Sequence, residues 1–135
     1  QVNDTFGHAA GDAVLQRVAA IMVECTRKSD TVARVGGDEF VLIFEGLMDR
    51  DRLNELANRL ISRLEEPIMY GAETCKISAS VGTSLSSSML APDAAQLLHQ
   101  ADVALYAAKR AGRAQHMFYA PQQEAQMMEQ DSKTA

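Results

Sequence analysis

Residues 34–40, with the sequence RVGGDEF, combine the residue types best suited to bind a phosphate ester and a divalent cation. Gly36 and Gly37 have no side chains, so the backbone can come close to a bulky anion. Asp38 and Glu39 are consecutive carboxylates, and Mg²⁺ is commonly bound by one or two carboxylates together with substrate phosphates. The pattern indicates a nucleotide polyphosphate site. An ordinary exposed hairpin turn is the alternative, because Gly-Gly-Asp is also favourable turn chemistry.

Charged residues elsewhere in the chain allow both a structural role and a binding role. Asp12 lies at the predicted start of a helix, where a carboxylate caps the helix or complements its dipole. Lys109 and Arg113 lie four residues apart at a predicted helix end, where cations also oppose the dipole. Arg27 and Asp30 have the spacing of a common ion pair at a helix end.

Amphipathic helices and short strands must position these residues. Apolar residues recur at helical spacing in three segments, with Pro92 in the first turn of the third and Gly112 just past its end. Runs rich in β-branched and apolar residues predict strands, and a hairpin with the segment before Gly71 is an open alternative for one of them. Because strands and helices alternate, the fold class is α/β (α+β). The helices are predicted from just after Asp12 to about Arg27, at 49–66 and at 92–111, and the strands at 31–35, 40–44, 74–85 and 115–119.

Length and composition predict a single soluble domain. The chain has 135 residues, 47% of them hydrophobic, which is enough for one buried core and too short for two. No apolar run could cross a bilayer, and the first residues lack the features of a secretion signal, so we expect a cytoplasmic location. The net charge of −5 argues against nucleic acid as a partner. Cys25 and Cys75 are expected to be small buried hydrophobic residues.

The chain resembles the GGDEF family of diguanylate cyclase domains. The resemblance rests on five blocks in the order of the family: NDTFGHAAGD, RKSD, RVGGDEF, ISASVG and ADVALYAAKRAGR. It implies the ferredoxin-like palm of class III nucleotidyl cyclases and the condensation of two GTP into cyclic di-GMP with release of pyrophosphate. It also implies Mg²⁺ or Mn²⁺ at Asp38 and Glu39, which are the catalytic residues, and a homodimer that apposes two GTP-loaded sites.

Further site residues follow from the same resemblance. Asn3 and Asp12 would recognise guanine, and RKSD would be an inhibitory RxxD site that binds cyclic di-GMP through Arg27 and Asp30. Arg59 matches an additional arginine of that site, although Arg52 and Arg63 are nearby. The substrate-binding set implied by the resemblance is Asn3, Asp12, Arg34, Gly36, Gly37, Lys109 and Arg113.

The chain departs from the family pattern at its start. Family members begin this region with a strand of pattern D-x-D-x-F-K, whose first Asp is a metal ligand, and that strand is missing here. We therefore expect a domain over residues 1–120 that is incomplete at its N-terminus and lacks the first strand. The chain alone is expected to be poorly active or inactive, whereas a complete parent would be an enzyme.

The other end of the chain resembles GGDEF domains that are followed by an EAL phosphodiesterase domain. The segments that carry this resemblance are EEPIMYGAETCKISASVGTSL and MFYAPQQEAQMMEQ. Residues 121–135 would then be a polar linker or tail, and a membrane would be reached only through parts of the parent outside this chain. A non-catalytic regulatory domain that binds GTP or cyclic di-GMP in a GGDEF–EAL protein is the alternative function.

Overall fold

The computed structural model describes residues 8–27, 30–36, 39–44, 49–86, 91 and 93–134. Helices and short strands alternate through this part of the chain, which confirms the α/β (α+β) class. The helices are α1 (His8–Glu24), α2 (Arg50–Leu64), α3 (Ala94–Arg110) and α4 (Gln122–Thr134), and the strands are β1 (Thr31–Gly36), β2 (Glu39–Ile43), β3 (Ile68–Tyr70), β4 (Glu73–Cys75), β5 (Val81–Thr83) and β6 (His116–Phe118).

The described strands pair in twos. β1 and β2 form an antiparallel hairpin, which confirms the predicted hairpin. Its register is irregular between Arg34 and Gly36. β3 and β4 form a second antiparallel pair, and β5 pairs with β6 in parallel. The prediction of one strand over 74–85 is therefore wrong in extent. Within that range only 74–75, which belong to β4, and 81–83, which form β5, are strands. β4 pairs with the segment before Gly71, which is the hairpin that the sequence allowed as an alternative.

One hydrophobic core joins the first two helices to the strands around them. Ile21 of α1 and Leu64 of α2 are each only 2% exposed, and burial of a side chain of this size contributes roughly 1.5–3 kcal/mol. Phe40 of β2 packs against this core, so the core anchors the hairpin. The buried members of the cluster are Val14, Val18, Ile21, Met22, Leu60, Leu64, Ile68 and Cys75.

α3 packs closely against β5 because small residues meet at their contact. Ala104 and Ala108 of α3 are completely buried. A Cβ atom at Gly82 of β5 would lie 2.1 Å from the backbone nitrogen of Leu105 and 2.5 Å from the carbonyl oxygen of Ala101. Glycine is therefore the residue type that this approach of helix and strand allows.

The helix boundaries differ from the predictions in three places. α1 begins at His8, so Asp12 lies beyond its first turn. Asp93 caps α3 by accepting a hydrogen bond from the backbone N–H of Ala95, so the helix starts after Pro92, which is itself outside the described residues. The polar segment after Pro121 forms a helix, α4, whereas its composition predicts a linker.

The two cysteines are free thiols. Cys75 is 1% exposed and belongs to the core, as predicted, whereas Cys25 is partly buried against the same core. Among the described residues, no helix has both the length and the apolar character needed to cross a membrane.

Candidate functional site

The register of the first hairpin places the ends of the RVGGDEF segment side by side. Gly36 at the end of β1 lies opposite Glu39 at the start of β2, and Arg34 lies opposite Phe40. Gly37 and Asp38, which connect the strands, lie outside the described residues, as do the side chains of Arg34 and Glu39. The hairpin is held at its base because Val32, Phe40 and Leu42 pack against the core.

Asp12 is an exposed residue on α1. Because α1 begins at His8 and has no acidic residue in its first turn, the interpretation of Asp12 as an N-cap or first-turn acid is wrong. Its carboxylate forms no hydrogen bond or ion pair within the described part of the chain. The carboxylate is thus available to accept hydrogen bonds from a ligand. Asn3, the other residue predicted to recognise guanine, lies outside the described residues.

Lys109 and Arg113 flank the C-terminal end of α3. Lys109 is in the last turn of the helix and is half-buried, whereas Arg113 is exposed and lies beyond the C-cap residue Ala111. The interpretation as a basic last turn therefore applies to Lys109 but not to Arg113. Neither cationic group has a hydrogen bond or ion pair to the residues that the structure describes. Each of the two cations is therefore available to an anionic ligand.

Arg27 and Asp30 form the predicted ion pair just after α1. The carboxylate of Asp30 accepts hydrogen bonds from the backbone N–H of Arg27 at 2.8 Å and from its Nε and Nη2 at 3.4 and 3.3 Å. The side chain of Asp30 is 1% exposed, whereas that of Arg27 is 56% exposed. The guanidinium of Arg27 is therefore the accessible part of the pair.

The arginines of α2 have different environments. Arg63 donates to Oε2 of Glu24 at 2.8 Å, and this bond is the largest cause of a raised pKa for the Arg63 guanidinium. Arg59 and Arg52 are exposed and make no hydrogen bond or ion pair within the described residues. Arg63 is thus committed to joining α2 to the end of α1, and Arg59 is available to a ligand.

The carboxylates of the hairpin are the residues that could hold a divalent metal. Within the described residues, no group of three or more His, Cys, Asp or Glu side chains could form a metal site. Asp38 and Glu39 supply consecutive carboxylate oxygens at the connection between β1 and β2, and oxygen ligands of this kind fit Mg²⁺. The donor chemistry therefore fits the metal that the sequence predicts.

Ser80 is a residue near the cationic group that the sequence did not single out. Its Oγ accepts a hydrogen bond from the backbone N–H of Ala114 at 3.1 Å, immediately after Arg113. Ser80 belongs to the ISASVG block, but a contact between residues 34 apart leaves no periodic signal in the sequence.

The chain is similar to known proteins over most of its length. Residues 1–115 match the family described as Diguanylate cyclase, GGDEF domain. Diguanylate cyclase A of Treponema denticola is 40% identical over 113 residues, which are 83% of this chain and 30% of that protein. The bifunctional diguanylate cyclase/cyclic di-GMP phosphodiesterase MucR of Pseudomonas aeruginosa is 38% identical over 133 residues, 96% of this chain and 18% of that protein.

A solved structure of the isolated GGDEF domain of TpbB (YfiN) from Pseudomonas aeruginosa superposes with a TM-score of 0.84 at 32% identity. The match covers 94% of this chain and 74% of that chain. Among the curated relatives just compared, the chain spans 18–30% of their length.

Proposed function

The chain belongs to the GGDEF family of diguanylate cyclase domains, and from this membership we propose that the complete protein that contains it condenses two GTP into cyclic di-GMP with release of pyrophosphate, whereas the chain alone is poorly active or inactive. Its mixed α/β fold is the palm of nucleotidyl cyclases. The observation that carries the proposal is the hairpin register, in which Gly36 lies opposite Glu39. Two glycines and two carboxylates, residues 36–39, are consecutive in the sequence where β1 is followed by β2.

Asn3 and Asp12 recognise the guanine base in this proposal. The N1 and N2 edge of guanine carries hydrogen-bond donors, which a carboxylate accepts, while an amide both donates and accepts. The exposure of Asp12 and its lack of a partner among the described residues support this role.

Lys109 and Arg113 bind the triphosphate, together with Arg34 and the backbone of Gly36 and Gly37. Charge-assisted hydrogen bonds from a guanidinium or ammonium to phosphate are among the stronger ones in proteins. The accessible cations at the end of α3 support this assignment, because the net charge of the whole chain is −5 and a local cationic group is needed.

Asp38 and Glu39 hold Mg²⁺ or Mn²⁺ and promote attack by the 3′-hydroxyl of one GTP on the α-phosphate of the other. When bound, the metal would neutralise the triphosphate charge and help the hydroxyl to lose its proton. The two carboxylates share these roles. The attack occurs twice, so we propose a homodimer that brings two loaded domains together.

We also propose the bounds of the domain and its connection to the rest of the complete protein. We assign the domain to residues 1–120, and α4 to a connection with a following EAL domain. MucR, which combines both named activities, supports this arrangement. A cytoplasmic location accords with the use of GTP as substrate.

Arg27 and Asp30, with Arg59, form an inhibitory site for the product. Arg27 supports this assignment because its guanidinium is accessible and can donate to a phosphate or guanine edge. The side chain of Asp30 is 1% exposed and bonded to Arg27, so guanine reaches its carboxylate only if this pair rearranges.

The experiment is a synthesis assay on the full-length protein with GTP and Mg²⁺, in which cyclic di-GMP is measured by mass spectrometry. Glu39→Gln should abolish synthesis, whereas Glu55→Gln, at an exposed carboxylate of α2, should retain it. Near-normal synthesis by Glu39→Gln would refute the catalytic role. Tight GTP binding without synthesis in the unmodified protein would favour the regulatory binding domain instead.

A further inference from the structure

The chain leaves α3 through three consecutive residues with positive φ. The angles are 127° at Gly112, 63° at Arg113 and 52° at Ala114. The helix itself requires only the first of them. The N–H of Gly112 bonds to the carbonyl of Lys109 and the N–H of Arg113 to that of Ala108, which is the usual glycine-dependent helix ending.

The positive φ angles of Arg113 and Ala114 therefore need another cause. Residues with a Cβ atom adopt this region uncommonly, and such conformations persist where surrounding contacts impose them. Ala has no polar side chain that could compensate locally. Contacts from other parts of the chain must hold this turn, which we define as residues 112–114.

Two side chains bond to the backbone of the turn. Ser80, half-buried just before β5, accepts the N–H of Ala114 at 3.1 Å. The side-chain Nε2 of Gln115 donates to the backbone carbonyl of Arg113 at 3.3 Å. The backbone carbonyl of Gln115 accepts a hydrogen bond from the N–H of Val81 at 3.0 Å. The turn is therefore joined to the start of β5. Ser80 supplies a side-chain bond to a residue 34 positions away in the sequence.

This turn sets the direction in which Arg113 leaves the backbone. The Arg113 side chain is exposed and has no hydrogen bond or ion pair within the part of the chain that the structure describes. The backbone angles at Arg113 fix the direction of its Cα–Cβ bond, and no contact with the described residues gives the guanidinium another orientation. The hydroxyl of Ser80 contributes to those angles through the next residue.

We propose that Ser80 is a positioning residue of the nucleotide site, which holds the 112–114 turn in its left-handed conformation and thereby directs Arg113 toward the phosphates of GTP. This inference rests on the proposed role of Lys109 and Arg113 as triphosphate ligands. Ser80 itself does not contact the nucleotide.

The chain provides a matched control for the loss of the hydroxyl. Ser84, just after β5, donates from Oγ to the carbonyl of Leu97 at 2.7 Å. It therefore also makes a hydroxyl–backbone bond, but to the N-terminal part of α3, whereas the bond of Ser80 is to the turn that follows the C-terminal end of this helix. A general loosening of α3 should follow from Ser80→Ala and Ser84→Ala alike, whereas misdirection of Arg113 should follow only from Ser80→Ala.

The test is calorimetric titration with Mg²⁺ and a non-hydrolysable GTP analogue, with Tm measured for every variant. We expect Arg113→Ala to weaken binding about 10- to 100-fold, because a charge-assisted contact is lost. Ser80→Ala should weaken it about 3- to 10-fold, through loss of one neutral hydrogen bond. Ser80→Thr, which keeps the hydroxyl, should restore affinity, and Ser84→Ala should match the unmodified chain.

The possible failures are distinguishable. Normal affinity in Ser80→Ala beside weak affinity in Arg113→Ala would overturn the positioning role and leave the proposed function in place. Equal losses in Ser80→Ala and Ser84→Ala would also overturn it. Normal affinity in Arg113→Ala would refute the triphosphate assignment itself, and the inference with it. If Ser80→Ala does not fold, Ser80→Cys decides, since its sulfur is close in size and a weaker acceptor.

Discussion

Nδ1 of His116 on β6 lies 2.8 Å from Oδ1 of Asn54 on α2. Because that oxygen can only accept, Nδ1 carries the proton and donates. On the other side of the ring, Nε2 lies 2.9 Å from Oγ1 of Thr83 on β5 and, in the neutral imidazole, accepts from this hydroxyl. The histidine thus joins α2 to both strands of the parallel pair in its uncharged form.

Stability should therefore fall when His116 is protonated. Burial is the larger cause and the nearby Arg50 cation the smaller cause of a lowered His116 pKa in the folded chain. Since the unfolded chain binds the proton more readily, stability is constant above about pH 6.5 and decreases as the pH falls from there toward the folded pKa. Urea unfolding at pH 7.5 and 5.5 should show this loss in the unmodified chain and a smaller loss in His116→Gln.

The exposed His99 on α3 is the control for that experiment. His99→Gln should keep the pH dependence that His116 causes. A slope that persists unchanged in His116→Gln would assign the acid sensitivity to other groups.

Gly82→Ala should be strongly destabilising. The new Cβ atom would meet three backbone atoms of α3, the farthest of them the carbonyl carbon of Ala104 at 2.7 Å. Backbone cannot rotate away as a side chain can, so helix and strand must separate, at a cost of about 3 kcal/mol in the free energy of unfolding. Chemical denaturation measures this difference.

Gly71→Ala should also destabilise the chain, but through backbone strain and not through a steric clash. Gly71 has a φ of 62°, and a Cβ atom added there would meet nothing within 4 Å beyond its chain neighbours, so only backbone strain opposes the substitution. The expected cost is roughly 1–2 kcal/mol. Equal losses at Gly71 and Gly82 would contradict the close approach of α3 and β5.

The helices α2 and α3 could be predicted because their burial follows the 3.6-residue period. Leu53, Ala57, Leu60, Ile61 and Leu64 are all buried on one face of α2. The alternating residue pattern of 74–85 predicted one strand that is too long. A strand also needs a neighbouring strand to which its backbone can hydrogen-bond. Among the described residues, 76–80 have none. The composition of α4 is rich in helix-favouring Gln, Glu, Ala and Met, a signal that its polarity obscured.

The site residues also divide into those whose geometry depends on local spacing and those whose geometry depends on packing between distant segments. The Arg27–Asp30 pair is local, because its partners are three positions apart, and its geometry followed from spacing. The contact of Ser80 with Ala114 and the left-handed conformation of Arg113 arise from packing between distant segments, which spacing does not encode. The position of Asp12 within α1 depended on a helix start that the apolar pattern placed too late.

Glu124 should control how firmly α4 is held against the domain. Its carboxylate accepts from the Tyr119 hydroxyl at 2.8 Å and lies 2.9 Å from Nε2 of His99. Glu124→Gln should accelerate hydrogen exchange in residues 122–134 and leave α1 nearly unchanged, because both bonds are weakened locally. Exchange measured by mass spectrometry tests this, with Tyr119→Phe expected to give an intermediate effect.

A low pH should also weaken the bonds of Glu124 to Tyr119 and His99. The hydrogen bond from His99, followed by that from Tyr119, lowers the pKa of Glu124 below its ordinary value of 4.5. The contribution of the carboxylate is thus present above pH 4.5 and is lost as the pH falls through the folded pKa. Unchanged protection factors, which correct for the pH dependence of intrinsic amide exchange, in both Glu124→Gln and the unmodified chain at low pH would mean that other contacts hold α4.

Arg27→Ala should weaken cyclic di-GMP binding by about 10- to 100-fold, because an accessible guanidinium that could bond to phosphate or guanine is removed. The turn itself should survive, since the backbone N–H of residue 27 still donates to Asp30, a bond of 2.8 Å in the unmodified chain. Calorimetric titration compares this variant with Arg17→Ala, which removes an exposed arginine of α1 without an ion pair among the described residues. In the active full-length protein, Arg27→Ala should also raise the product concentration needed for half-inhibition. Equal affinity in Arg27→Ala and the unmodified chain would reduce RKSD to a solvated turn after α1, stabilised by its own ion pair.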